Sequence, residues 1–216
     1  MKRYDGIFQS IMDGDEKRAV TLTRELVAQG VGPVEILEQG MIPAMNQLGE
    51  LLTREERFVP QILLSARAMQ SAVTVLQSSL AEEWAGELRH DKVIVGTVQG
   101  DIHTIGKNLV GIMLQSAGFH VIDLGYDVSA ADFSEAIRSS GARIVAMSAM
   151  LTTSMTSMRK TIQALQGENF GHSLCIIVGG VPITPNFARE LRVHYSGNML
   201  ESVRLSIDAA RKENPT

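Results

Sequence analysis

The sequence predicts two architectures in series, an α + α/β chain: a four-helix bundle over residues 1–88, then a doubly wound parallel-sheet domain over residues 89–216. Three observations predict it. Apolar residues recur with a helical period up to about residue 88. Beyond that point, short apolar runs rich in β-branched residues alternate with amphipathic stretches. The runs hold consecutive apolar residues rather than alternating ones, as strands do when helices cover both faces of their sheet.

In the first half, Met41, Met45, Leu48 and Leu52 fall on one helical face. Ile62, Ala66, Met69, Val73, Leu76 and Leu80 repeat the pattern over a longer stretch. Breaks fall at "DGDE" (13–16), "QGVGP" (29–33) and "REERFVP" (54–60). Pro33 and Pro60 suit first-turn helix positions. Four helices with short connections pack as an antiparallel bundle. The polar stretch "AEEWAGELRHDK" (81–92) links the halves. The predicted strands are "KVIVGTV" (92–98), "HVIDLG" (120–125), "RIVAMSA" (143–149) and "LCIIVGG" (174–180). Helices are predicted at 105–117, 130–140, 153–167, 184–191 and 198–212.

The composition narrows the function. The 216 residues are 44% hydrophobic and 20% charged, with net charge −4 and no Lys/Arg block, so nothing draws the chain to nucleic acid. A lone cysteine, Cys175, excludes an internal disulfide. The amino end has no apolar segment of signal-peptide length, and no apolar run reaches membrane-spanning length. A cytoplasmic protein with no membrane partner is expected. The eleven methionines read as adaptable core filler or as the lining of an apolar ligand.

Ligands of doubly wound sheets bind beyond the carboxyl ends of the strands, where the strand order reverses. Three loops of small and polar residues meet that edge: "GDIHTIGKN" (100–108), "SAMLTTS" (148–154) and "GGVPIT" (179–184). Asp101 and His103 suit a catalytic dyad, an oriented metal ligand or a satisfied structural pair. Gly100 and Gly106 permit close approach of a ligand. A metal-bound histidine commonly gives its second ring N–H to a carboxylate. Zinc fits poorly, because no second His or Cys stands at ligand spacing. Phosphate cradling fits poorly too, because the loop lacks the Lys-Ser/Thr ending of a P-loop. A single protein donor suggests a metal whose other ligands come from a bound macrocycle.

"GDIHTIGKN" resembles the D-x-H-x-x-G signature of the cobalamin-binding domains of corrinoid methyltransferase proteins and methionine synthase, which are Rossmann-like, flavodoxin-like folds. "SAMLTTS" is similar to the family's S-x-L segment, and "VGG" (178–180) to its closing glycine pair. Residues 38–70, "EQGMIPAMNQLGELLTREERFVPQILLSARAMQ", resemble the G-E-L-F and F-L-P-Q stretches of its helical cap. The resemblance spans nearly the whole chain.

The resemblance implies a role for each matching position. His103 would be the lower axial ligand to cobalt, displacing the cofactor's own base. Asp101 would bind the other side of that imidazole, and Ser154 would extend the relay. Ser148 and Thr152 would contact the displaced nucleotide tail or the corrin edge. Gly106, Gly179 and Gly180 would make room for the tail, and Met199 would lie near its end. Gly100, Ile102 and Thr104 complete the ligand loop. Glu38, Leu52 and Val59 match cap positions over the upper corrin face. The sequence departs from the pattern at Met150, which stands for the S-x-L leucine, and at Leu52, where Phe is usual. Thr104 replaces an Asp, and "LRVHYSG" (191–197) replaces a G-A-D-like turn.

The implied function is that of a corrinoid protein cycling between methylcobalamin and cob(I)alamin. It would carry a methyl group from a substrate-specific methyltransferase to an acceptor methyltransferase using tetrahydrofolate or a thiol. It would be a carrier subunit rather than a complete enzyme, since cap and cobalamin domain account for its length. Residues 81–92 are the expected hinge. The alternatives are a cobalamin-dependent regulator or sensor, which usually carries a DNA-binding domain, and a mutase-type subunit, which generally lacks the cap. His90, His120, His172 and His194 read as structural or solvated, and Cys175 as an inert core residue.

Overall fold

A computed structural model describes residues 3–53, 59–84 and 91–213. The chain forms two units, Met1–Trp84 and Ala85–Thr216. The first is helical: α1 (Asp5–Asp13), α2 (Glu16–Ala28), α3 (Pro33–Ile36), α4 (Ile42–Thr53) and α5 (Val59–Glu83). A π-helical turn, Leu37–Met41, joins α3 to α4, so the two run on as one rod and the unit has four rods. Helix α1 stops where Gly14 turns left-handed, at φ 71°. Asp15 then opens α2 by accepting the Arg18 N–H at 3.0 Å. Pro33 takes the first turn of α3, where its missing N–H costs nothing.

The helical period points where the sequence predicts. Met41, Leu48, Ala66, Met69, Val73, Leu76 and Leu80 are all buried, together with Ile7 and Ile11 of α1. Met45 and Ile62 are only half-buried. Met41, Met69, Met113 and Met158 are fully buried, which favours their reading as core filler. Half of the expected hinge, residues 85–90, lies outside the described residues, and so does His90. No helix among the described residues is long and apolar enough to cross a membrane.

The second unit is a parallel sheet: β1 (Lys92–Thr97), β2 (His120–Asp123), β3 (Ile144–Ser148), β4 (Cys175–Gly179) and β5 (His194–Tyr195). Its helices are α6 (Ile105–Ser116), α7 (Ala130–Ser140), α8 (Met155–Gly167), α9 (Pro185–Glu190) and α10 (Met199–Glu213). The strand order is β2-β1-β3-β4-β5, all parallel. Strand order therefore reverses between β1 and β3, which sets the ligand crevice beyond Thr97 and Ser148. The sequence pattern does not predict β5. Two residues pairing Ile177 with His194 and Val178 with Tyr195 at the sheet edge carry no apolar run to find.

Central strand β1 is buried from Val93 to Val98 because helices cover both faces. Phe133 of α7 is fully buried, and its ring lies over Gly96. A Cβ at Gly96 would come within 2.6 Å of that ring, so the glycine is a packing requirement of the central strand. Gly96→Ala is expected to cost about 1–3 kcal/mol by overpacking. Phe133→Leu in the same chain is expected to recover part of the loss, as read by urea denaturation followed in the far ultraviolet.

Candidate cofactor site at the carboxyl edge of the sheet

The site begins where β1 ends. Thr97 is fully buried, and its hydroxyl donates to the His103 carbonyl at 3.0 Å. A β-turn follows, closed by the Asp101 N–H donating to the Val98 carbonyl at 3.2 Å. Its third residue, Gly100, has φ 83°, a left-handed conformation that glycine adopts without strain. The turn drives Asp101 inward, to zero exposure, and leaves Ile102 71% exposed.

Five donors converge on the Asp101 carboxylate. Oδ1 accepts the His103 backbone N–H at 3.0 Å and meets His103 Nδ1 at 2.8 Å. Oδ2 accepts the N–H groups of Met150 at 2.6 Å and Leu151 at 3.1 Å. It also lies 2.8 Å from the Ser154 hydroxyl, which has a second acceptor in the Leu151 carbonyl at 2.7 Å. One hydroxyl proton serves only one of these at a time. Burial works to raise the Asp101 pKa, but the bonds from Met150, His103 and Ser154 outweigh it and hold the carboxyl at about 2.

An ionised carboxylate beside Nδ1 requires the ring hydrogen on Nδ1. Nε2 is then left with its lone pair as a metal donor. The imidazole side chain is 49% exposed, so that nitrogen is accessible. At the same edge of the sheet, one beyond the end of each of the first four strands, are the exposed apolar residues Ile102, Tyr126, Leu151 and Val181. Among the described residues, no group of three or more His, Cys, Asp or Glu is placed to hold a metal ion. One oriented donor within an apolar rim suits a metal that brings its own equatorial ligands.

The glycines divide into two kinds. A Cβ at Gly106 would meet nothing within 4 Å, so the first turn of α6 faces open space. Gly180 is demanded by the chain itself: its φ is 123°, and a Cβ there would sit 1.8 Å from the Ala149 carbonyl oxygen. Gly179 lies close to the Ser196 carbonyl, at 3.0 Å from a built Cβ.

Thus Asp101, His103, Met150 and Ser154 come together, while Gly100 and Thr104 flank the loop, Thr104 as the N-cap of α6. Ser148 ends β3 and gives its carbonyl to the Val98 N–H, whereas Thr152 is exposed. Met199 is buried at the start of α10. Glu38 is exposed in the π turn of the other unit, where Leu52 and Val59 belong to α4 and α5. The side chains of Leu52 and Val59 lie outside the described residues. Sequence reasoning missed Thr97, Tyr126, Leu151 and Val181. A polar residue closing an apolar strand was the only available signal for Thr97. His120 and His194 are exposed, and Cys175 is half-buried at the start of β4 rather than sunk in the core. Two cavities, of about 210 and 270 Å3, lie at the amino ends of the strands and contain none of the site residues.

A doubly wound sheet with one oriented imidazole at its switch point has the form of a ligand-binding α/β protein. Comparison with known proteins gives the class a name. Residues 91–201 match the B12 binding domain family, and residues 3–77 match a second B12 binding domain family. A corrinoid protein of Desulfitobacterium hafniense is 34% identical, over 88% of this chain and 89% of its own. Trimethylamine corrinoid protein 2 of Methanosarcina mazei is 33% identical, over 94% of this chain and 93% of its own. The solved monomethylamine corrinoid protein of Methanosarcina barkeri is 28% identical, with TM-score 0.79 over 96% of this chain and 98% of that one. The chain belongs to the methyltransferase-associated family of B12-binding corrinoid proteins, whose cofactor is cobalamin.

The pKa of Asp101 sets a pH dependence of stability. A folded value of about 2 against an ordinary 3.8 is worth about 2 kcal/mol. Because the folded value is depressed, that stability is present above pH 4 and is lost as pH falls towards 2. In Asp101→Asn an amide NH2 would face N–H donors in either orientation. The variant is expected to be about 2 kcal/mol or more less stable at pH 7, with the gap narrowing below pH 4, as read by urea denaturation at each pH.

Proposed function

We propose that the chain carries a methyl group on cobalamin, with His103 Nε2 as the lower axial ligand to cobalt. A substrate-specific methyltransferase would load it, and a second methyltransferase, acting on tetrahydrofolate or a thiol, would unload it. The observation that carries this reading is the pairing of His103 Nδ1 with the buried Asp101 carboxylate at 2.8 Å, which leaves Nε2 as the outward donor. The names of the relatives direct the search for the donor towards methylamines.

When bound, cobalamin supplies a cobalt that accepts and releases the methyl group. The residues of the chain hold, orient and tune. Asp101 fixes the ring plane and tautomer of His103 and makes Nε2 a stronger donor. Were His103 to leave the metal, the Asp101 carboxylate at Nδ1 would stabilise a proton held at Nε2. The Ser154 hydroxyl donates to Asp101 Oδ2 or turns to the Leu151 carbonyl, so it can follow the charge on the carboxylate. Ile102, Tyr126, Leu151 and Val181 offer apolar contact to the macrocycle, and Gly106 leaves space beside it.

The test is an ultraviolet–visible spectrum of the purified protein after mixing with hydroxocobalamin and desalting. Wild type is expected to retain a corrinoid spectrum. His103→Ala is expected to shift that spectrum and to lower retention about tenfold or more. Equal spectra and equal retention in both would remove His103 from the site.

A further inference from the structure

The ligand loop is gripped from the β3 side by Asp101, through Met150, Leu151 and Ser154. It is also gripped from the β2 side, by groups that the methyl-carrier reading does not use. The Asp127 carboxylate accepts the Gly100 N–H at 2.8 Å, and the Asp127 N–H donates to the Asp101 carbonyl at 3.0 Å. The two bonds form a reciprocal clasp across the residues that deliver His103. Asp127 holds a left-handed φ of 55°, shared among described non-glycine residues only with Arg192. Asp and Asn tolerate that conformation better than most residues, and such strain gathers at functional sites.

Behind the clasp lies a second anchor. Lys107 opens inward from the first turn of α6, its side chain 3% exposed. Its ammonium meets both Asp123 oxygens, at 2.6 and 2.5 Å. Asp123 Oδ1 also accepts the Gly125 N–H at 2.8 Å, and the Gly125 carbonyl accepts the Thr97 N–H at 3.0 Å. Thr97 in turn donates its hydroxyl to the His103 carbonyl. The segment after β2 is thus fixed at its start by Lys107 and meets the ligand loop at its end through Asp127.

We infer that Asp127 is a positioning residue for His103: its clasp on Gly100 and Asp101, anchored by the Lys107–Asp123 pair, sets the height and direction of the imidazole. The inference rests on the reading of His103 as the cobalt ligand. A residue with a merely local role predicts something different. Asp127→Gly relieves the left-handed φ and removes the acceptor, so local strain alone would leave ligation unchanged. Asp127→Asn keeps both an oxygen acceptor and the tolerated φ.

The experiment uses the full chain loaded with hydroxocobalamin and reduced to the cobalt(II) form. With the protein's histidines labelled with 15N, so that the cofactor's own base is distinguished, 15N splitting in the electron paramagnetic resonance spectrum reports the fraction with an axial imidazole. Asp127→Gly is expected to lower the ratio of ligated to unligated cofactor about 2- to 10-fold, the size of one net hydrogen bond. Asp127→Asn is expected to match wild type. In the cofactor-free chain, the Gly100 amide is expected to exchange with solvent faster in Asp127→Gly than in Asp127→Asn. Wild-type splitting in Asp127→Gly, equal loss in both variants, or unchanged Gly100 exchange would each overturn the inference. Absence of 15N splitting in wild type, or its persistence in His103→Ala, would instead remove the ligand reading and the inference with it.

Discussion

A single buried carboxylate organises the carboxyl edge of the sheet. Asp101 is removed from water, and an ionised group in that position is tolerable only with hydrogen bonds to both oxygens. Those bonds come from two loops that are distant in sequence. Its own loop supplies the His103 backbone and ring, and the loop after β3 supplies two backbone amides and the Ser154 hydroxyl. The demand for donors therefore ties β1 and β3 together at the point where strand order reverses. The histidine's orientation is a consequence of that demand.

The rest of the α/β unit serves this arrangement. Strands β1 and β3 pair in register from Val93–Ile144 to Thr97–Ser148, so both loops leave the sheet at the same height. Glycines appear where backbones or rings come too close for a side chain. Gly96 yields to Phe133, and Gly180 yields to the Ala149 carbonyl. These constraints belong to the fold's own packing, whereas Gly106, like Gly100, faces open space. The apolar rim of Ile102, Tyr126, Leu151 and Val181 is costly to leave in water, which is a reason to expect a flat, largely apolar ligand across that edge.

On the proposed reading, a single-donor site would give a tunable bond without a metal cage. A closed cage holds its ion through every protein ligand at once. Here one imidazole, held from behind by Asp101 and half-exposed, would be the protein's contribution. Its donor strength would follow from a carboxylate that its hydrogen bonds keep ionised. On the proposed reading, release of the imidazole would need no rearrangement of the sheet, because the backbone donors to the carboxylate do not involve the ring nitrogen.

Much of the fold was legible in the sequence, because periodicity is a local property. The helical period of residues 41–80 and the consecutive apolar residues within 92–98 and 143–149 each report which faces are buried. The Asp101–His103 spacing was legible for the same reason, since both residues lie on one short loop. Strand β5 was not, because a two-residue edge strand has no period. The amides of Met150 and Leu151 were not legible as carboxylate donors, since every residue but proline carries such an N–H. Nor were Thr97 and Asp127, whose partners are backbone atoms brought near by strand pairing. The sequence by itself determined the two architectures, the loop and the imidazole. Only the tertiary structure decided what holds that imidazole still, because parallel pairing brings together groups that lie far apart in the chain.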